Sequence, residues 1–474
     1  MYGDYDNQVH QPSPRETRQL KRAWVAIQCV DECDDEHIHS PKRVKRSGNF
    51  QSCCRHAAPT EQEVKPIHDI RRDEEYRSRV LQDLKLPGQS KPTPDDAETY
   101  GELANTLVRE VLDRAQPPET TIGSTVAVEA YYMSPSQAAA MIDSPNYDPD
   151  IPIVTSAQQP FLQQTRPIRQ FFDWLEDLDR LVSVNLPNRS IGSQQSAEHR
   201  RLAEVRDRFL NPQGTDDKQP WNILNLANPV PSTLPKFLQD INCQLLHRLR
   251  DAVLNGGRTA DRVSAKLAKW NEWCDVLEWA LLAEGGHMTA PHTDSHGFDT
   301  WISVQEGDFG FGWMARPTRL ERERWMSDPQ GCTQEENWRY VVLRPGQTVF
   351  FGSGTIHFVF RARGVQTLAF GGHVLRWSGL ERWLSVVIDQ VRYPDTTNEW
   401  MVETIRNYVA TVERLVAQRN KYRVGEDIGL ARFQNLIKEF EKVHKERVKS
   451  LKPSPKTKVR SRRATTSKSP TPGL

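Results

Sequence analysis

Thr289–His296 reads T-A-P-H-T-D-S-H, and Pro345–His357 reads P-G-Q-T-V-F-F-G-S-G-T-I-H. His292 and Asp294 stand two apart in a run that leads into the alternating segment Trp301–Gln305. On an extended strand, positions i and i+2 project to one face. One imidazole and one carboxylate therefore point into the same space. His357 brings a second imidazole after a Pro-Gly turn and a short apolar strand. Two imidazoles and a carboxylate on one side of an ion, with the opposite side open, make a facial metal site. His296 lies four past His292, the interval of a zinc-binding pair on a helix. Pro291 and Gly297 argue against a helix there. His292 is therefore read as a ligand and His296 as a loop histidine.

Outward from these two stretches the chain reads as short strands separated by Gly and Pro. They are His287–Ala290, Thr300–Gln305, Phe309–Ala315, Trp338–Leu343, Thr348–Phe351, His357–Arg363 and Val365–Phe370. Such spacing predicts a sandwich or barrel. Thr318–Glu336 is charged and reads as a surface excursion. Upstream, Thr125–Tyr132 alternates weakly, and Ile151–Thr155 reads as an edge strand because it carries Pro152. Phe171–Leu181, Ser196–Phe209 and Leu234–Val253 read as amphipathic helices. Ala265–Ala283 has the strongest helical stripe, with Trp270, Trp273, Leu277 and Leu281 among its apolar residues, and Gly285-Gly286 to end it. Downstream, Leu380–Gln390, Asn398–Ala417 and Leu430–His444 read as helices that cap the barrel, pack beside it or mediate dimerisation.

The ends differ from this centre. Hydrophobic residues make up only 37% of the 474, and 31 are Pro, so part of the chain is expected to stay disordered. Residues 1–120 are rich in charge, Pro, Gln and Ser, with one helix expected around Ala97–Ala115. Cys29, Cys33, His37, His39, Cys53, Cys54 and His56 crowd together there. Their spacings do not match the usual zinc pairs, which favours unliganded thiols over a zinc site. The cluster Pro41–Arg46 suits a nuclear address and a solvated loop equally. Net charge is +1, yet from Lys442 onward there are eleven Lys/Arg against one acid, Glu446. No apolar run is long enough for a membrane span. The first residues do not resemble a signal peptide, and seven scattered cysteines do not resemble a disulfide framework. The expectation is a soluble intracellular protein divided as 1–120, 121–283, 284–377, 378–448 and a basic tail, 449–474.

The centre resembles a JmjC domain, the 2-oxoglutarate- and Fe(II)-dependent branch of the cupin, or double-stranded β-helix, fold. The resemblance rests on His292-Thr-Asp294, the glycine-rich strand Glu306–Trp313, the run Arg344–His357 and the closing strand Val365–Leu375. It spans roughly Ile151–Trp377. It implies an α+β fold in which a β-helix core carries flanking helices, with disordered tails at both ends. It further implies that His292, Asp294 and His357 hold Fe(II), and that 2-oxoglutarate is oxidised to drive hydroxylation or demethylation of a protein, often a histone.

One departure stands out. JmjC enzymes usually place a lysine on the glycine-rich strand to hold the far carboxylate of 2-oxoglutarate, and here that slot falls near Phe309 or Gly310. Thr289 matches a hydroxyl position of some relatives. Arg316, Arg361 or Arg363 would have to supply the cation. Arg361 and Arg363 lie four and six past His357 and so share its facing on a regular strand. Trp301, Phe311, Trp313 and Phe351 read as barrel core ahead of a methyl-lysine pocket. His373 reads as a near-site polar group or a satisfied histidine. Three functions follow: a nuclear dioxygenase acting on a chromatin protein; an inactive JmjC-like scaffold, favoured by the missing lysine; and a nucleic-acid binder using its basic ends, which would make weak, salt-sensitive contacts.

Overall fold

The computed structural model describes residues 66–84, 100–123, 127–144, 147–156, 166–186, 197–212, 219–230, 233–249, 277–331, 333–397, 405–422 and 430–451. In chain order the elements begin with helices α1 (Ile70–Asp83) and α2 (Tyr100–Arg114), β1 (Tyr131–Tyr132), α3 (Pro135–Asp143) and β2 (Ile153–Ser156). Then come α4 (Pro167–Asp173), β3 (Leu181–Asn185), β4 (Ala197–Arg201), α5 (Leu202–Leu210) and β5 (Asn222–Ala227). The centre is β6 (Trp279–Ala283), β7 (Thr289–His292), β8 (Asp299–Glu306), β9 (Phe309–Met314), α6 (Arg319–Ser327), β10 (Trp338–Leu343), β11 (Gln347–Phe351), β12 (His357–Phe360) and β13 (Thr367–Val374). Helices α7 (Leu380–Arg392), α8 (Ile405–Tyr422) and α9 (Leu430–Ser450) follow.

The strands form two sheets in a mixed α+β fold. One has nine strands in the order β1-β2-β11-β8-β13-β6-β5-β3-β4, the other four in the order β10-β9-β12-β7. Both contribute to one apolar core. Ile302, Val304, Val349 and Phe351 enter it from the large sheet, and Phe309, Phe311, Trp313, Val341 and Val359 from the small one. Alternation sets the opposite faces. On β9 the odd positions enter this core, and Gly310 and Gly312 between them face outward, where Phe360 and Phe358 from the paired strand lie across them. A Cβ at Gly312 would come within 2.1 Å of the Phe358 ring. The glycine-rich strand is thus a packing requirement.

Outside the small sheet, Tyr76, Val80, Val108 and Val111 of α1 and α2 cover Trp338, Tyr340, Phe358 and Phe360. Outside the large sheet, Ile168, Phe171 and Phe209 cover Trp301, Leu368 and Phe370. The C-terminal helices pack on one another through Trp383, Val387, Tyr408, Val412, Phe433 and Phe440.

Several expectations are corrected. Residues 279–283 are a strand and not the end of a helix, while 265–276 lie outside the described residues. The run W-A-L-L-A is buried on both faces between β5 and β13, so it has no polar face to betray its period. Ser196–Phe209 divides into β4 and then α5, and Phe171–Leu181 splits between the end of α4 and the start of β3. Leu234–Val253 breaks into 3₁₀ turns at Lys236–Leu238 and Ile241–Cys243 before a helical stretch at 245–249. β2 is not an edge strand, since β1 pairs with it on the far side from β11.

The region 1–120 holds a second helix, α1. Its Asp73, 1% exposed, accepts from the Arg344 guanidinium at 2.7 Å and from the Val342 amide at 3.2 Å. The excursion Thr318–Glu336 contains α6, whose Trp325 is buried. The Cys/His cluster, the basic cluster at Pro41–Arg46 and the tail from 452 lie outside the described residues. No helix among the described residues is long and apolar enough to cross a membrane.

Candidate metal centre

β7 and β12 are neighbours in the small sheet, with His292 directly opposite His357. Cross-strand partners share a face, so the two imidazoles meet, their ring centroids 4.3 Å apart. The backbone stays extended through Asp294 (φ −63°, ψ 141°), which puts its carboxylate on the side of His292 as the two-residue spacing requires. Asp294 Oδ1 is 3.7 Å from His292 Nε2 and 3.6 Å from His357 Nε2. The three ligand atoms lie within 4.8 Å of one another. Two N or O ligands each about 2.1 Å from one ion stand at most about 4.2 Å apart, and both carboxylate–imidazole spans fall inside that. Among the described residues these three form the group suited to hold an ion.

Hydrogen bonds behind the ligands orient each of them. His292 Nδ1 donates to the Ala290 carbonyl at 2.9 Å, and His357 Nδ1 to the Thr355 carbonyl at 3.1 Å. With the proton fixed on Nδ1, each Nε2 presents a lone pair to the centre. Burial, and next the neighbouring His357, push the His292 pKa down to about 4, so the ring is neutral at pH 7 as a ligand must be. Burial would raise Asp294, but His357, His373, His292 and the Thr300 hydroxyl together hold it below the usual carboxylate range. The Thr300 hydroxyl donates to Asp294 Oδ2 at 2.5 Å and accepts from His373 Nδ1 at 2.9 Å. That chain leaves Oδ1 facing the imidazoles.

The ligand loop is also clamped from behind. Gln390 of α7 donates to the Asp294 carbonyl at 2.7 Å and to the Thr293 hydroxyl at 3.0 Å. Trp383 donates its indole N–H to the His296 carbonyl at 2.8 Å. His296 itself stands in a 3₁₀ turn at φ 60° and is not one of the three ligands, in line with its reading as a loop residue. Phe351 and Phe311 flank His357 with ring centroids 4.8 and 5.7 Å away, so the centre sits against an apolar wall.

Thr289 has its facing set by an irregularity. The pairs His357↔His292 and Val359↔Thr289 set two residues of β12 against three of β7. This bulge returns Thr289 to the face of His292, although three residues separate them. Arg361 is 1% exposed and lies over the ring of Phe309. Arg363 is not brought to the site. β12 ends at Phe360, and Arg363 is exposed beside Gly364 (φ 73°), with its amide donating to Asp83. The turn breaks the strand alternation that would have faced it inward. Arg316 points out to Asp148. Trp301 lies on the other face of its sheet, so of the four aromatic candidates Phe311, Trp313 and Phe351 share the core beside the ligands.

Thr300 and Gln390 carry no signal in the sequence, because their contacts come from β8 and α7 and are fixed only by packing. Comparison with protein-family models and with curated proteins gives no match.

Proposed function

We propose that this chain is a JmjC-type Fe(II)- and 2-oxoglutarate-dependent dioxygenase that hydroxylates or demethylates a protein substrate. The observation that carries the reading is the facial set of His292, Asp294 and His357, with both Nε2 atoms freed by backbone acceptors on Nδ1. On this reading the two sheets are the halves of a double-stranded β-helix, and Fe(II) is held at its mouth by those three residues. The donor set fits a divalent ion with no fourth protein ligand among the described residues, so one side stays open for small molecules. 2-Oxoglutarate is held by Thr289 and Arg361. A buried guanidinium with unpaired N–H groups fits its carboxylate.

When bound, the iron and 2-oxoglutarate together supply O2-driven oxidation of a C–H bond. The chain's own part is positional. Thr300 and His373 fix the Asp294 carboxylate, Gln390 and Trp383 fix the loop, and Phe311 and Phe351 limit water. The basic cluster Pro41–Arg46 and the basic tail support a nuclear setting and a histone substrate, with weak nucleic-acid contact through the same segments. The test is succinate release from 2-oxoglutarate with and without histone peptides. Turnover that vanishes in His292→Ala supports the reading, and turnover that persists overturns it.

A second reading, an inactive JmjC-like scaffold, is favoured by the absence of lysine near Phe309 or Gly310, where the family usually carries one. Calorimetric titration of iron-loaded protein with 2-oxoglutarate separates the two, because a scaffold gives no heat at millimolar ligand.

A further inference from the structure

Helix α9 (Leu430–Ser450) carries Lys438, Lys442, Lys445 and Lys449, and all four are exposed. At about 3.6 residues per turn they fall within roughly 60° of one another around the axis, and at about 1.5 Å per residue the row is roughly 16 Å long. Its direction is set from behind. Phe433, Ile437, Phe440 and Val443, on the opposite side of the helix, are buried among the apolar residues of α7 and α8.

The acids nearest the row are drawn away from it. Glu439 pairs with Arg392 of α7, and Glu441 with Arg406 of α8 at 3.4 Å. Glu446 stands roughly 70° around the helix from the middle of the row. Among the described residues none of the four lysines has an ion pair, since the bridges of α9 run through Arg392, Arg406 and Arg432. Like charges at i and i+4 repel one another, and the fold supplies nothing that offsets this. Past the row, residues 452–468 add seven Lys/Arg and no acid.

The kind of partner follows from this chemistry. A straight row of cations matches a uniform line of negative charge, and double-stranded nucleic acid offers one charge per about 1.7 Å of axis. Lysine is a compact point charge on a flexible stem, suited to phosphates and not to forked reading of base edges. Single strands are gripped by stacking on aromatic rings, yet the exposed side of α9 and residues 452–468 hold no aromatic residue. A helix lying in a membrane interface turns its apolar side to the lipid, whereas here that side is taken up by α7 and α8. We infer that the lysine row of α9 binds the phosphate backbone of a nucleic-acid duplex irrespective of base sequence, and that the basic residues after it extend the same track. This gives an ordered anchor on the folded part of the chain, beyond the weak contact of basic tails, and it does not depend on the metal centre.

The experiment is fluorescence-anisotropy titration of the full chain with two unrelated DNA duplexes and one RNA duplex, at salt from about 50 to 200 mM. In the fourfold variant Lys438→Gln/Lys442→Gln/Lys445→Gln/Lys449→Gln, the slope of log affinity against log salt is expected to shrink by about 3 to 4, because each lost phosphate contact removes about 0.9. Affinity at low salt should fall roughly tenfold or more, by the same factor for both DNA sequences. Arginine at all four positions keeps the charge and should keep the slope. The double variant Lys438→Gln/Lys445→Gln should show half the change, and it decides the question if the fourfold variant does not fold. Asp294→Ala should bind duplex as the parent does, so failure of the metal-centre reading and failure of this one are told apart. The tighter of the DNA and RNA duplexes identifies the form recognised. Equal slopes in the parent and the glutamine variants overturn the inference, as does a parent that binds no duplex. Tighter binding of the parent to poly-glutamate or to phosphatidylserine vesicles than to either duplex overturns it as well, and assigns the row to an acidic protein or a membrane.

Discussion

Two buried arginines in this molecule are in opposite circumstances. Arg376, 4% exposed, donates through Nε to Asp299 Oδ2 at 2.7 Å and through Nη2 to Oδ1 at 3.4 Å. It also stacks over the Tyr147 ring, while the Ser353 amide donates to Asp299 Oδ1. Arg361 is buried to the same degree and has a carbonyl, a ring and an empty edge. The first carries its counter-charge within the chain and ties β8 to the residues after β13. The second has no carboxylate partner among the described residues, which is what the proposed 2-oxoglutarate site asks of it. An arginine's role in a core is read from what neutralises it, and burial alone does not tell the two apart.

The contrast is sharpest at Asp299. Asp299→Asn leaves Arg376 buried beside a neutral amide, and breaking a buried pair in this way costs about 3–5 kcal/mol. Urea denaturation should show that loss at Asp299→Asn and none at Arg361→Met. Equal losses at both would erase the distinction. Next in size is the support of Asp294. Thr300→Ala removes the hydroxyl between Asp294 and His373 and should weaken Mn(II) binding roughly 10- to 100-fold, read by competition with a chelator. A fold-stability change with no change in metal affinity would make Thr300 merely structural.

A smaller, pH-dependent effect belongs to Asp150, which receives hydrogen bonds from Arg322 and Arg382. Burial opposes its ionisation, but the two guanidinium groups prevail and hold its pKa below the usual carboxylate range. The unfolded chain therefore takes up this proton first. Its contribution is fully present above the ordinary value of about 3.9 and is lost as pH falls through the folded value. Urea midpoints of Asp150→Asn and the parent should differ at pH 7 and draw together as pH falls below the ordinary carboxylate value, and a gap that does not narrow there contradicts this assignment. The smallest effect is expected at the exposed Arg363. Arg363→Ala should change stability by less than about 0.5 kcal/mol and leave 2-oxoglutarate affinity alone. Any tenfold loss there would move the receptor from Arg361 to Arg363.

Much of the centre is legible in the residues themselves. Strands β8 to β13 are short runs, most of them bounded by Gly or Pro, and fall within a few residues of their expected places, because turn residues delimit them even though both faces are buried. His292, Asp294 and His357 are legible because strand parity sets which side chains meet. Where parity fails, so does the reading. W-A-L-L-A at 279–283 is apolar on both sides and carries no period. Arg363 obeys parity on paper, but the turn at Gly364 ends the strand before it. Thr289 breaks parity on paper and is restored by a bulge that only the pairing of β7 with β12 reveals. Tyr76 and Asp73 of α1 sit in a charged stretch that gives no hint of core, because their partners, Ala362 and Arg344, lie more than 250 residues away.

Whether His292, Asp294 and His357 together grip one ferrous ion is tested most directly by anaerobic reconstitution with Fe(II), followed by metal analysis. One iron per chain is expected in the parent, and none above background in His292→Ala, Asp294→Ala or His357→Ala. Stoichiometric iron in any of those variants, or no iron in the parent, would contradict it.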